Sequence, residues 1–157
     1  MKKYMLALVA VFVLAIACGG AETPDQVVTK LLNGVLNADG DAVVSCLSAE
    51  AVAGIDEMLV EIKADPEGTA AMAVMMGIEV TPEEVADITA GKALTLLLGS
   101  ELVTAEIPDL AGFEVGAAVI DGETASVPVT VDGESNDVQL ILEDGSWKIA
   151  GEGMDFM

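Results

Sequence analysis

Residues Ala125–Ala150 read ASVPVTVDGESNDVQLILEDGSWKIA. Apolar residues alternate with polar ones at Val127, Val129 and Val131, then at Val138, Leu140 and Leu142, and then at Trp147 and Ile149. Successive side chains of a strand point to opposite faces, so each run predicts a strand with one apolar face. Asp132-Gly133 and Asp144-Gly145 separate the runs, and Asp121-Gly122 precedes them. Asp-Gly between alternating runs is a strong hairpin signal, because tight turns need residues that accept positive φ. The stretch therefore predicts an antiparallel meander. Pro128 cannot donate a ladder hydrogen bond, which predicts an edge or a bulge at that point.

Phe113–Ile120 begins the meander. Leu102–Ile107 is compatible with a further strand stopped by Pro108, with Asp109–Gly112 as a turn. Before Ser100 the apolar period becomes helical. Thr23-Pro24-Asp25-Gln26 places Thr at an N-cap, Pro at the first helical position and Gln at N3, the capping-box pattern. Val27, Val28, Leu31, Leu32, Val35 and Leu36 then form one stripe. Asn37–Asp41 breaks this helix, and a short one follows from Asp41 to about Leu47. Ser48 caps a longer helix with Val52, Ile55, Leu59 and Ile62 on one face, ended by Asp65-Pro66-Glu67-Gly68. Thr81-Pro82-Glu83-Glu84 repeats the capping box, with Val80 and Val85 at the hydrophobic-staple positions. Thr89 caps a last helix carrying Leu94, Leu97 and Leu98, with Gly99 at its end.

Three features bear on chemistry. Asn37, Asp39 and Asp41 alternate as calcium ligands do, but an EF-hand loop needs Gly at its sixth position and Glu at its twelfth, where this chain has Ala42 and Ser48. The segment reads as a turn and a helix cap, and no metal site is expected. Met72, Met75 and Met76 fall at i, i+3 and i+4, and such a stripe is expected to pack into the core. Cys46 lies among apolar residues and is expected to be a buried structural thiol; no His or Lys stands beside it in sequence to lower its pKa.

The first residues, MKKYMLALVAVFVLAIACGG, have another character. Lys2 and Lys3 precede an unbroken apolar run from Met5 to Ala17, shorter than the roughly 20 residues a membrane span needs. This is the layout of a secretory signal peptide. Leu14-Ala15-Ile16-Ala17-Cys18 resembles the lipobox of bacterial lipoproteins. That resemblance implies cleavage before Cys18, acylation of Cys18 and attachment to a membrane of the cell envelope, outside the cytoplasm. Residues 1–17 are then the signal, 18–22 the lipidated tether, 23–151 one α+β domain and 152–157 a tail.

The 157-residue chain has 27 acidic residues against six basic ones, all lysine, and no His. Loss of the signal removes Lys2 and Lys3, leaving four lysines and a net charge of −23. So acidic a domain excludes nucleic-acid binding, which depends on Lys and Arg at phosphates. It also disfavours binding to anionic lipid through basic side chains.

The pairing of TPDQVVTKLLNGVLNADGDAVVSCLS with a meander ending EDGSWKIAGE resembles the nuclear-transport-factor-2-like, or cystatin-like, superfamily, and within it small bacterial lipoproteins. The resemblance covers both ends of the mature chain. It implies helices packed on a strongly curved antiparallel sheet that forms a cone. The helical stretch Pro66–Gly99 is an insertion relative to that pattern. Enzymes of the superfamily work with Asp, His and Tyr inside the cone. This chain has no His, and its one Tyr, Tyr4, lies in the signal. No catalytic residue and no cofactor is therefore implied. Val127, Val129, Val138, Leu140, Leu142 and Trp147 would line the cone as core or as an apolar pocket. The function expected is non-catalytic: an anchored envelope protein binding a protein or a small apolar ligand, with a purely structural role or a lone buried carboxylate as general base the alternatives.

Overall fold

The computed structural model of the chain describes residues 22–101, 103 and 112–151. Its centre is the meander. Strands β1 (Glu114–Val115), β2 (Val119–Asp121), β3 (Thr124–Val131), β4 (Glu134–Glu143) and β5 (Ser146–Ile149) form one antiparallel sheet. Both β1 and β2 pair with β3, which pairs with β4, which pairs with β5. The sheet curls into a half-barrel with helices packed on it, an α+β fold.

Two of the three turns follow the sequence expectation. Asp132 and Gly133 have φ of 52° and 86°, and Asp144 and Gly145 have φ of 49° and 79°. Positive φ at both central residues is the type I′ signature. The first turn sits one residue later than expected. Asp121 pairs with Thr124, so Gly122-Glu123 is the turn pair, and only Gly122 has positive φ, at 64°. That is the type II′ pattern, with Gly at its first position.

Pro128 lies on a central strand, and the feature that admits it is a bulge. Val115 pairs with Val129 and Val119 with Ser126, so three residues, Gly116–Ala118, face two, Val127 and Pro128. The proline ring packs over Gly116, where a Cβ would come within 2.7 Å of Pro128 Cγ. Gly116 N–H still donates to the Pro128 carbonyl at 2.8 Å.

Among the described residues, six named helices precede the sheet: α1 (Pro24–Leu36), α2 (Gly40–Cys46), α3 (Ala49–Ala64), α4 (Pro66–Met75), α5 (Pro82–Ala86) and α6 (Ala90–Leu98). Each has a cap that the sequence supplies. Gln26 accepts from Thr23 N–H at 3.0 Å, and Glu84 from Thr81 N–H at 3.0 Å. These bonds with Thr81 hold the Glu84 carboxyl below its ordinary pKa. Asp39 caps α2 through Ala42 N–H, which gives Asn37–Asp41 its structural purpose. Asp65 ends α3 and caps α4 through Gly68 N–H. Gly99 ends α6 with φ −81°, so no left-handed cap is formed there. Of the run Leu102–Ile107, only Val103 lies among the described residues, and it is helical. The tail, 152–157, lies outside them.

The core fills the concave face of the sheet. Ala125, Val127 and Val129 of β3, Val138 and Leu140 of β4, and Trp147 and Ile149 of β5 meet Val27, Val28, Leu31 and Leu32 of α1. Val43, Cys46 and Leu47 close one side. Each such Val, Leu or Ile side chain contributes about 1.5–3 kcal/mol by leaving water. The polar positions between them, among them Ser135, Asp137 and Gln139, are exposed on the convex face. The free edge of β5 is blunted: Leu47 makes a parallel bridge to Ile149, and Ser48 N–H donates to the Ile149 carbonyl at 3.0 Å.

The methionine stripe does not pack into the core. Met72 is 63% exposed, Met75 88% and Met76 46%. The face of α4 that is buried carries Ala70 and Ala73. A helix of apolar residues all round has two faces to bury, and α4 lies where only the small-residue face meets its neighbours.

Candidate functional site

The six residues expected to line a cone lie in the packed core. Val127, Val129, Val138, Leu140 and Trp147 are buried, and Leu142 is partly buried against them. Val127 stands opposite Val138, and Leu142 opposite Trp147. Helix α1 occupies the concavity that they form. They are core. Cys18 lies outside the described residues.

A concavity does exist on the surface, where α1, the end of α2 and β5 meet. It measures about 250 Å³ and is lined by Glu22, Val27, Lys30, Ser45, Ser146, Trp147 and Lys148. The buried side chains of Val27 and Trp147 belong to the main core and give it an apolar side. Several of its polar groups are tied up in structure. Lys148 Nζ donates to the Ser45 carbonyl at 2.6 Å, linking β5 to the last turn of α2. Lys30 Nζ sits 3.4 Å from Glu22 Oε2, a largely solvated ion pair worth about 0–1 kcal/mol. Ser45 Oγ donates to the Ala42 carbonyl at 2.7 Å. Two of the four lysines that follow Lys3 thus converge on one depression. Their wide separation in sequence hides this; their scarcity in so acidic a chain is the one sequence signal that singles them out.

Cys46 lies just beneath. It is buried, is not in a disulfide, and donates from Sγ to the Ala42 carbonyl at 3.3 Å. Burial pushes its thiol pKa above the ordinary value; a hydrogen bond with Ser45 and the charges of Lys30 and Lys148 oppose this only in part. A thiol held neutral in this way is a poor nucleophile. The depression therefore offers two engaged ammonium groups and hydroxyls, and no nucleophile paired with a general base. Among the described residues, no three His, Cys, Asp or Glu side chains are grouped to hold a metal ion. None of the described helices is long and apolar enough to cross a membrane.

The other unusual surface is the unit α3–α5. Besides the methionines of α4 it exposes Met58 and Val60 of α3 and Val74 of α4. The sequence offers two apolar sides here, Ala70 with Ala73 and Met72 with Met75, and the structure buries the alanines. Around these residues, positions 49–87 carry ten carboxylates, all exposed, and one lysine, Lys63. No family model, no curated protein and no solved structure matches the chain.

Proposed function

We propose that this chain is a non-catalytic lipoprotein of the bacterial cell envelope, anchored through Cys18 and acting by binding a partner at its surface. The observation that carries the reading is the apolar run Met5–Ala17 ending at Leu14-Ala15-Ile16-Ala17-Cys18, followed within a few residues by the Thr23 cap of the folded domain. So short a tether holds the domain against the bilayer it is anchored in. Two acyl chains supply stable attachment, each buried CH₂ contributing ~0.8 kcal/mol. The likeness to nuclear-transport-factor-2-like lipoproteins belongs to the same reading and rests on the sequence motifs at the two ends of the domain. Because α1 fills the concavity of that sheet, recognition of a macromolecule is favoured over storage of a small apolar ligand.

The test is chemical. The chain expressed in a bacterial host with labelled palmitate should carry the label, begin at Cys18 and enter the detergent phase on phase separation. Cys18→Ser should lose all three properties. An unlabelled wild-type chain, or an acylated Cys18→Ser variant, defeats the reading. Cross-linking in native membranes should then recover a partner protein.

A further inference from the structure

We infer that the exposed face of α4 is a docking surface for a cationic amphipathic segment of a partner protein. The inference deepens the binding function proposed above and rests on it. Three observations converge. The face is apolar: Met72 and Met75 project from α4 away from the buried Ala70 and Ala73, and the exposed Met76 follows at the C-cap. Its side chains are flexible thioethers, which repack against surfaces of varied shape. The segment that carries it, residues 49–87, has one sign: ten exposed carboxylates against Lys63, a net charge of −9.

Charge selects among the occupants. A second copy of this chain would bring the same net −9 unit to the contact, and like charges across an interface disfavour association. An anionic lipid surface is repelled for the same reason. A segment with one apolar and one basic face satisfies both features of the site at once, in the manner of a helix laid in a groove. Its apolar residues cover the methionines, and its lysines or arginines meet carboxylates such as Glu57, Glu61 and Glu79. None of the residues invoked holds up the fold. The methionines are outside both apolar clusters, and the three glutamates are exposed.

The experiment uses the full chain in zwitterionic nanodiscs and three labelled peptides read by anisotropy. One is an 18-residue helix of Leu and Lys with all Leu on one face. The second has the same composition with Leu scattered, and the third has Glu in place of Lys. The amphipathic cationic peptide should bind at least about tenfold more tightly than either of the others, and its affinity should fall as salt shortens the Debye length. Met72→Gln/Met75→Gln/Met76→Gln should weaken it at least about tenfold with an unchanged urea midpoint. Glu57→Gln/Glu61→Gln/Glu79→Gln should flatten its salt dependence. Equal binding of the scattered peptide overturns the inference, as does an intact affinity in the methionine variant. So does methionine-dependent self-association or lipid contact that excludes the peptide. Acylation of Cys18 is read separately, so failure here is distinguishable from failure of the anchoring proposal.

Discussion

Gly40→Ala should be among the most damaging single-methyl additions in this chain. Gly40 opens α2 where α6 crosses it. Its N–H donates to Thr95 Oγ1 at 3.0 Å. A Cβ at this position would collide with the Gly91 carbonyl oxygen and lie 2.6 Å from Thr95 N and 2.8 Å from Thr95 Oγ1. Two of those atoms are α6 backbone, so a rotamer change cannot relieve the clash and the helices must separate. Overpacking of this kind costs about 1–3 kcal/mol, and loss of the hydrogen bond adds about 1 kcal/mol. A net loss of about 3 kcal/mol is a large part of the 5–15 kcal/mol by which domains are stable. Two further glycines calibrate the result. At Gly91 the new Cβ meets the carboxylate of Asp41, an exposed side chain that can swing away, and lies 3.2 Å from Asp41 Cα, so Gly91→Ala should cost about 1–2 kcal/mol, less than Gly40→Ala. At Gly54, within α3, a Cβ has nothing within 4 Å, and Gly54→Ala should stabilise by about 1 kcal/mol. Urea unfolding followed through Trp147, the chain's one tryptophan, reads all three. At an m-value of about 1.5–2 kcal/mol/M, the Gly40→Ala midpoint should fall by about 1.5–2 M. A midpoint within about 0.5 M of wild type, or a Gly54→Ala variant equally damaged, would show that the crossing is not set by this contact.

Further substitutions test the half-barrel. Leu140→Ala removes a side chain that is 1% exposed at the centre of β4 and should cost about 2–5 kcal/mol by urea titration. Ser48→Ala and Glu143→Ala both loosen the start of α3, since Ser48 Oγ accepts from Ala51 N–H at 3.2 Å and Glu143 Oε2 from Ala49 N–H at 2.9 Å. Each should cost about 0.5–2 kcal/mol, with the buried Ser48 the more sensitive when compared by thermal melting. Cys46 gives a pH signature. Its folded pKa is raised, so its contribution to stability is complete below the unfolded thiol pKa and is lost as pH rises through the folded value. Wild-type stability measured between pH 8 and pH 10, about the range of an unperturbed thiol, should therefore fall more steeply than that of Cys46→Ala; parallel curves would refute the assignment.

The meander was legible because its period is two and its turns carry Asp-Gly, signals that are local and need no knowledge of what packs above. The helix starts were legible for the same reason, since a capping box lies within four residues. What escaped depends on contacts between distant segments. Pro128 announces a break in pairing, but only the register of Gly116–Ala118 against β3 shows the break to be a bulge beside a central strand. Met72, Met75 and Met76 have the spacing of a core stripe, and spacing cannot tell which of two apolar faces meets the protein. Val127, Val138, Leu140 and Trp147 could have lined a cavity as readily as a core until α1 was seen to fill the space between them. The meeting of Lys30 with Lys148, and of Gly40 with Gly91 and Thr95, has no local sequence signal at all.

The position of α6 explains why one crossing can matter so widely. The described residues form two apolar clusters of unequal size. The larger joins α1 and α2 to the sheet through fourteen buried side chains; the smaller has only Leu59, Ile88 and Ala90 fully inside. Leu94 and Leu98 of α6 pack on the larger cluster, while Ala93 and Leu96 of the same helix pack on the smaller, with Val44 of α2. Helix α6 is therefore shared, and its close approach to α2 at Gly40 sets the distance between the half-barrel and the α3–α5 unit. Pushing it outward strips contacts from both clusters at once. The same arrangement separates stability from recognition. The half-barrel has the larger core, whereas no residue of α4 or α5 belongs to either apolar cluster, and elements with few buried apolar contacts open locally more readily than the whole domain unfolds. A surface of flexible methionines on such a unit can shift to fit a partner while the sheet beneath it stays folded.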